Sequence, residues 1–92
     1  MKITEEYIDY NIDFMEIKSV RYIGDYAIRI FFSDGSDKFV DFKPFLESSV
    51  HPSIRKYLDE TKFKEYQIVD GNINWNDYEL IFPIEDLFIG KI

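Results

Sequence analysis

Residues 26–42 read YAIRIFFSDGSDKFVDF, and the reading of this stretch decides the fold. Tyr26, Ile28, Ile30 and Phe32 alternate with Ala27, Arg29, Phe31 and Ser33, the period-2 pattern of a half-buried strand. Asp34-Gly35 follows, a pair that tolerates positive φ and predicts a two-residue type I′ turn. Ser36 to Phe42 then resumes an extended run. The first strand has a four-residue apolar face and, in Ala27 and Phe31, a partly apolar second one. The rest of the chain must supply its cover.

Toward the N-terminus, Met15 to Ile23 continues as strand with a break at Ser19, and Gly24-Asp25 turns into the hairpin. Further out, Ile8, Tyr10, Ile12 and Phe14 alternate with Asp9, Asn11 and Asp13, which predicts an additional outer strand within residues 1–14. An outer strand leaves unpaired N–H and C=O groups, and this one has an unusually aromatic face for a solvated edge. Ile8, Tyr10, Ile12 and Phe14 are therefore a candidate interface strand, for a homodimer or for a partner. Asp9-x-Asn11-x-Asp13 echoes the start of a calcium loop. Phe14 replaces the turn glycine and Val20 the bidentate Glu, so no metal site is read there.

Toward the C-terminus, Asp41 stands where it can cap a helical turn that contains Pro44. Pro52 fits a first helical position, Ile54, Tyr57 and Leu58 make an apolar stripe, and the helix is expected to stop near Leu58. Asp59 is placed to cap the next turn, Glu60 to Lys62, which Phe63 pins to the core. Tyr66 and Ile68 lead into a second hairpin through Asp70-Gly71, with Ile73 and Trp75 on its inward face. Pro83 opens a final helical turn that buries Ile84, Leu87 and Phe88 and ends at Gly90. The fold class is α+β: a small antiparallel sheet, a three-stranded meander plus a second hairpin, with short helices in the connector and at the C-terminus.

A chain of 92 residues makes one domain, 1–92, and buries roughly two-thirds of the surface that it exposes when unfolded. Nine Phe, seven Tyr and one Trp supply its core, each buried ring removing about 150–250 Å² from water. There is no cysteine, which suits a reducing cytoplasm, and no apolar run of the ~20 residues that a membrane span needs. The net charge of −7, with its basic residues scattered, argues against direct nucleic-acid binding, which needs clustered Lys and Arg. It would steer the protein toward a basic partner.

The order of these signals is itself informative: Val20; Asp25-Tyr26-x-Ile28-x-Ile30-x-Phe32-x-Asp34-Gly35; Val40-Asp41-Phe42; Leu58-Asp59-x-x-x-Phe63; Ile73-x-Trp75; Leu87-Phe88. Over residues 17–88 the chain resembles the bacterial family called domain of unknown function 2442. Where that family often has a Trp-Pro-Asn-Gly-like turn followed by Asp, this chain has Trp75-Asn76-Asp77-Tyr78. The resemblance implies a small curled antiparallel sheet with short helices and no established activity. It also implies an antitoxin-like or accessory member of a two-protein pair.

Catalytic chemistry finds little purchase. His51 precedes a proline and has no Cys partner, and Gly24, Gly35, Gly71 and Gly90 are isolated, so no phosphate-cradling loop forms. No motif asks for a cofactor. Asp41, Asp59 and Trp75 are the candidate interaction or cleft residues; their local alternative is two helix caps and a core ring. The functional reading is a cytoplasmic, non-catalytic protein-interaction module. The alternative is a small enzyme or ligand-binding domain using carboxylates in a sheet–helix cleft.

Overall fold

The computed structural model describes residues 15–92. The outer strand expected over residues 8–14 lies outside them. Strands β1 (Ile17–Gly24), β2 (Ala27–Phe32) and β3 (Asp37–Asp41) form an antiparallel meander in that order. Ile28 pairs with Tyr22 on one side and Val40 on the other, and Ile30 with Val20 and Lys38. This register puts the alternating residues Ile28, Ile30, Phe32 and Val40 on one buried face. The break expected at Ser19 is a register shift between Ile17 and Ser19.

The turns of this sheet differ from the expectation. Asp34-Gly35 is not a type I′ turn, because of the pair only Gly35 is left-handed, at φ 92°. Gly35 N–H donates to Phe32 O at 3.1 Å, and the Asp34 carboxylate accepts from Ser36 N–H at 2.9 Å and Ser36 Oγ at 2.6 Å. That short side-chain bond to the next turn of backbone favours a longer loop, closed by Phe32 N–H donating to Ser36 O at 2.9 Å. The left-handed pair lies instead between β1 and β2, at Asp25 (φ 52°) and Tyr26 (φ 67°). Tyr26 is bulky for such a backbone. Its hydroxyl donates to Leu58 O and its ring packs on Phe63 at 5.3 Å, so tertiary contacts hold it there.

The connector contains α1 (Lys43–Ser48), α2 (Pro52–Arg55), a 3-10 turn (Lys56–Leu58) and α3 (Glu60–Phe63). Prolines occupy the first turns of α1 and α2, where a missing N–H costs nothing. Beyond it, β4 (Gln67–Val69), β5 (Asn72–Trp75) and the two-residue β6 (Leu80–Ile81) form a second antiparallel sheet in that order. The second hairpin thus builds a sheet of its own, with Asp70-Gly71 at φ 53° and 79° as its left-handed turn. Helix α4 (Ile84–Ile89) follows Pro83, carries Glu85 and Asp86 in its first turn, and ends at left-handed Gly90. The architecture is α+β.

Residues 15–17 tie the two sheets together. Ile17 N–H donates to Gly71 O at 2.8 Å, and Ser33 N–H donates to Glu16 O at 2.8 Å. The core between them is aromatic and centres on Trp75. Phe63 stacks on that ring at 5.4 Å, while Phe42 and Phe82 meet it edge-on at 5.7 and 6.0 Å.

Candidate functional site

Of the residues singled out from the sequence, two Asp residues serve the backbone beside them. Asp41 ends β3, and its carboxylate accepts from Lys43 N–H at 3.1 Å, at the start of α1. Asp59 is the N-cap of α3 and accepts from Thr61 N–H at 3.0 Å. Trp75 is fully buried, and its indole N–H donates to Phe63 O at 2.7 Å.

A cleft of about 520 Å³ opens between the connector and the second sheet. Lys56, Tyr57, Lys62 and Glu65 line it from the connector; Gln67, Trp75, Asn76 and Asp77 line it from the sheet. Trp75 is the one sequence candidate that reaches it; Asp41, Asp59 and His51 stand elsewhere.

Glu79 fastens one wall of this cleft to the other. A single carboxylate oxygen, Oε1, receives Lys56 Nζ at 2.6 Å, the Tyr57 hydroxyl at 2.7 Å and Asn76 Nδ2 at 3.1 Å. The Lys56 ammonium, then Tyr57 and Asn76, hold its carboxyl down to about 2, against an ordinary value of 4.5. Burial, and then the bond to Glu79, push the Tyr57 hydroxyl above the usual phenol range. The network therefore keeps a neutral phenol and a charged carboxylate together.

What Glu79 clamps is an unusual turn. Asn76, Asp77 and Tyr78 are all left-handed, at φ 50°, 55° and 71°, where a non-glycine residue costs roughly 1–2 kcal/mol. Asn and Asp tolerate this backbone best; Tyr is the outlier. Glu79 N–H donates back to Trp75 O at 3.0 Å and closes the loop, and Tyr78 N–H reaches Asn74 Oδ1 at 3.4 Å. Asn74 is buried, and its Nδ2 has no hydrogen-bond partner among the described residues. On the other flank of the turn, Tyr78 joins Asn72, Ile81, Phe82 and Pro83 around a smaller apolar hollow of about 250 Å³. Tyr78 and Ile81 are each about half exposed there, at 50% and 53%.

Sequence reasoning missed Glu79, Lys56 and the turn as a unit. The available signal was Trp75-Asn76-Asp77-Tyr78, where the related pattern has Pro and Gly: two residues tolerant of the left-handed region stand there without a glycine.

Among the described residues no helix is long and apolar enough to cross a membrane, and no group of three or more His, Asp or Glu residues is arranged to hold a metal. A family model described as a protein of unknown function, DUF2442, matches residues 17–92. No curated protein and no solved structure matches the chain.

Proposed function

The chain belongs to the DUF2442 family over residues 17–92, and from that premise we propose that it is a non-catalytic protein-interaction module whose recognition element is the Asn76–Tyr78 turn. The observation that carries this reading is the turn's position. It is the common wall of two concavities, a polar cleft on the Asn76–Asp77 side and an apolar hollow on the Tyr78 side. Strained backbone held by its surroundings concentrates where a surface must be presented in one shape. Polar and apolar hollows on either side of a rigid ridge suit a partner that straddles it.

The net charge of −7 favours a basic protein partner, with this chain as the acidic antitoxin-like or accessory member of a pair. The absence of cysteine suits action in a reducing cytoplasm. The experiment is affinity capture with the full chain, identification of what is retained, and rebinding of the purified partner. Tyr78→Ala and Ile81→Ser are expected to lose the partner, while Phe39→Ser, on the half-exposed face of the first sheet, retains it. Binding should weaken from low to moderate salt, because exposed charges are screened over about 8–10 Å at physiological ionic strength. Equal binding by the Tyr78 and Ile81 variants would sink the assignment of the turn.

A further inference from the structure

We propose that the polar cleft is the receptor for a cationic side chain, an arginine or lysine of the partner. This deepens the preceding reading and rests on it. A volume of about 520 Å³ lies within the ~300–1,000 Å³ typical of ligand sites. The charge inventory favours a cationic occupant. Lys56 and Glu79 neutralise one another at 2.6 Å, and the Tyr57 hydroxyl and one N–H of the Asn76 amide go to the same carboxylate oxygen. The remaining charged groups of the lining are Lys62, Glu65 and Asp77, and none of them makes an ion pair among the described residues. One ammonium against two carboxylates leaves an excess of one negative charge. The Asn76 and Gln67 amides each add a carbonyl oxygen that can accept, beside N–H groups that can donate. Ammonium and guanidinium groups are donors only, three and five N–H bonds respectively, so they suit the carboxylates of Glu65 and Asp77, which accept only.

The backbone sharpens the fit. Asp77 sits at φ 55° in the middle of the clamped turn, so its carboxylate is carried on a segment that is already ordered. Ordering it at the moment of binding would otherwise oppose association. The overall charge of −7 adds long-range attraction for the same sign of ligand.

Trp75 is the only tryptophan and lines the cleft, so its fluorescence reports occupancy. The probes are blocked single amino acids, N-acetyl-arginine amide, N-acetyl-lysine amide and N-acetyl-glutamate amide, titrated into the full chain at low salt. A saturable change with the arginine or lysine probe, and none with the glutamate probe, is the expected result. Glu65→Gln with Asp77→Asn should lose that response. Asn keeps the tolerance for a left-handed backbone, and an unchanged thermal midpoint would show that the fold is intact. Lys62→Met removes the competing ammonium and should tighten the same probe. A saturable response to the glutamate probe, no response to either cation, or a cation response unchanged in the double variant would overturn the proposal. The two readings fail separately. A captured partner that ignores the double variant but is lost by Tyr78→Ala refutes the cleft and leaves the turn standing.

Discussion

The two sheets of this protein have the same number of strands and use them differently. The first has strands of eight, six and five residues, and its loop after β2 uses Gly35 for the one left-handed position. The second has strands of four residues or fewer, and its loop after β5 drives three consecutive non-glycine residues into the left-handed region. Longer strands and a buried apolar face make the first sheet a scaffold. The second holds a strained ridge in place with one tryptophan, one carboxylate and few backbone bonds. Where the ladder is short, side chains must do what backbone hydrogen bonds do elsewhere.

The largest expected effect tests that dependence. Trp75→Ala should destabilise by about 3–5 kcal/mol, because it empties the centre of the aromatic core and removes the bond to Phe63 O. In denaturant titration Trp75→Phe should recover much of this. A loss for Trp75→Ala below that of an ordinary exposed substitution would break the account of how the second sheet is anchored.

Much of the first sheet was legible because its signals are local. The burial of Ile28, Ile30, Phe32 and Val40 follows from period alone, whereas Tyr26, read as the start of that strand, stands in the left-handed turn before it. The caps at Asp59 and Gly90 were legible for the same reason: each needs only its neighbours. The cleft was not. It requires Lys56 and Tyr57 from the connector to meet Glu79 across 23 and 22 positions of sequence, and no periodicity encodes that meeting. The type I′ expectation at Asp34-Gly35 failed for a nearer reason, since Ser36 offers the Asp34 carboxylate two donors.

A second comparison sets two glycines against each other. A methyl group on Gly71 would meet Glu16 Cβ at 2.8 Å, whereas one on Gly35 meets nothing within 4 Å; both residues have positive φ, 79° and 92°. Gly35→Ala should cost about 1–2 kcal/mol for backbone alone. Gly71→Ala should add about 1–3 kcal/mol of overpacking at the seam between the sheets. Equal midpoints in thermal unfolding would show that the contact of Glu16 with Gly71 does not join them.

The Glu79 clamp predicts a smaller, pH-dependent effect. Its folded-state value of about 2 lies below the ordinary 4.5, so the unfolded chain binds the proton more readily. The clamp's contribution is therefore present above about 4.5 and is lost as the pH falls toward 2. Glu79→Gln should have a lower melting temperature near neutral pH and a shallower decline over that acid window. Parallel pH profiles for the two proteins would remove Glu79 from the account.

The most direct measurement makes the same substitution in both loops. Asp77 is left-handed at φ 55° with its carboxylate uncommitted among the described residues, while Asp34 is not left-handed and holds Ser36 through two hydrogen bonds. By relieving strain, Asp77→Gly should stabilise the protein by about 1 kcal/mol, while Asp34→Gly should destabilise it. Thermal and denaturant unfolding of the two variants beside the parent protein gives the answer. Opposite signs are the predicted result; a loss of stability in Asp77→Gly matching that in Asp34→Gly would contradict the claim that the loop after β5 carries strain that the loop after β2 does not.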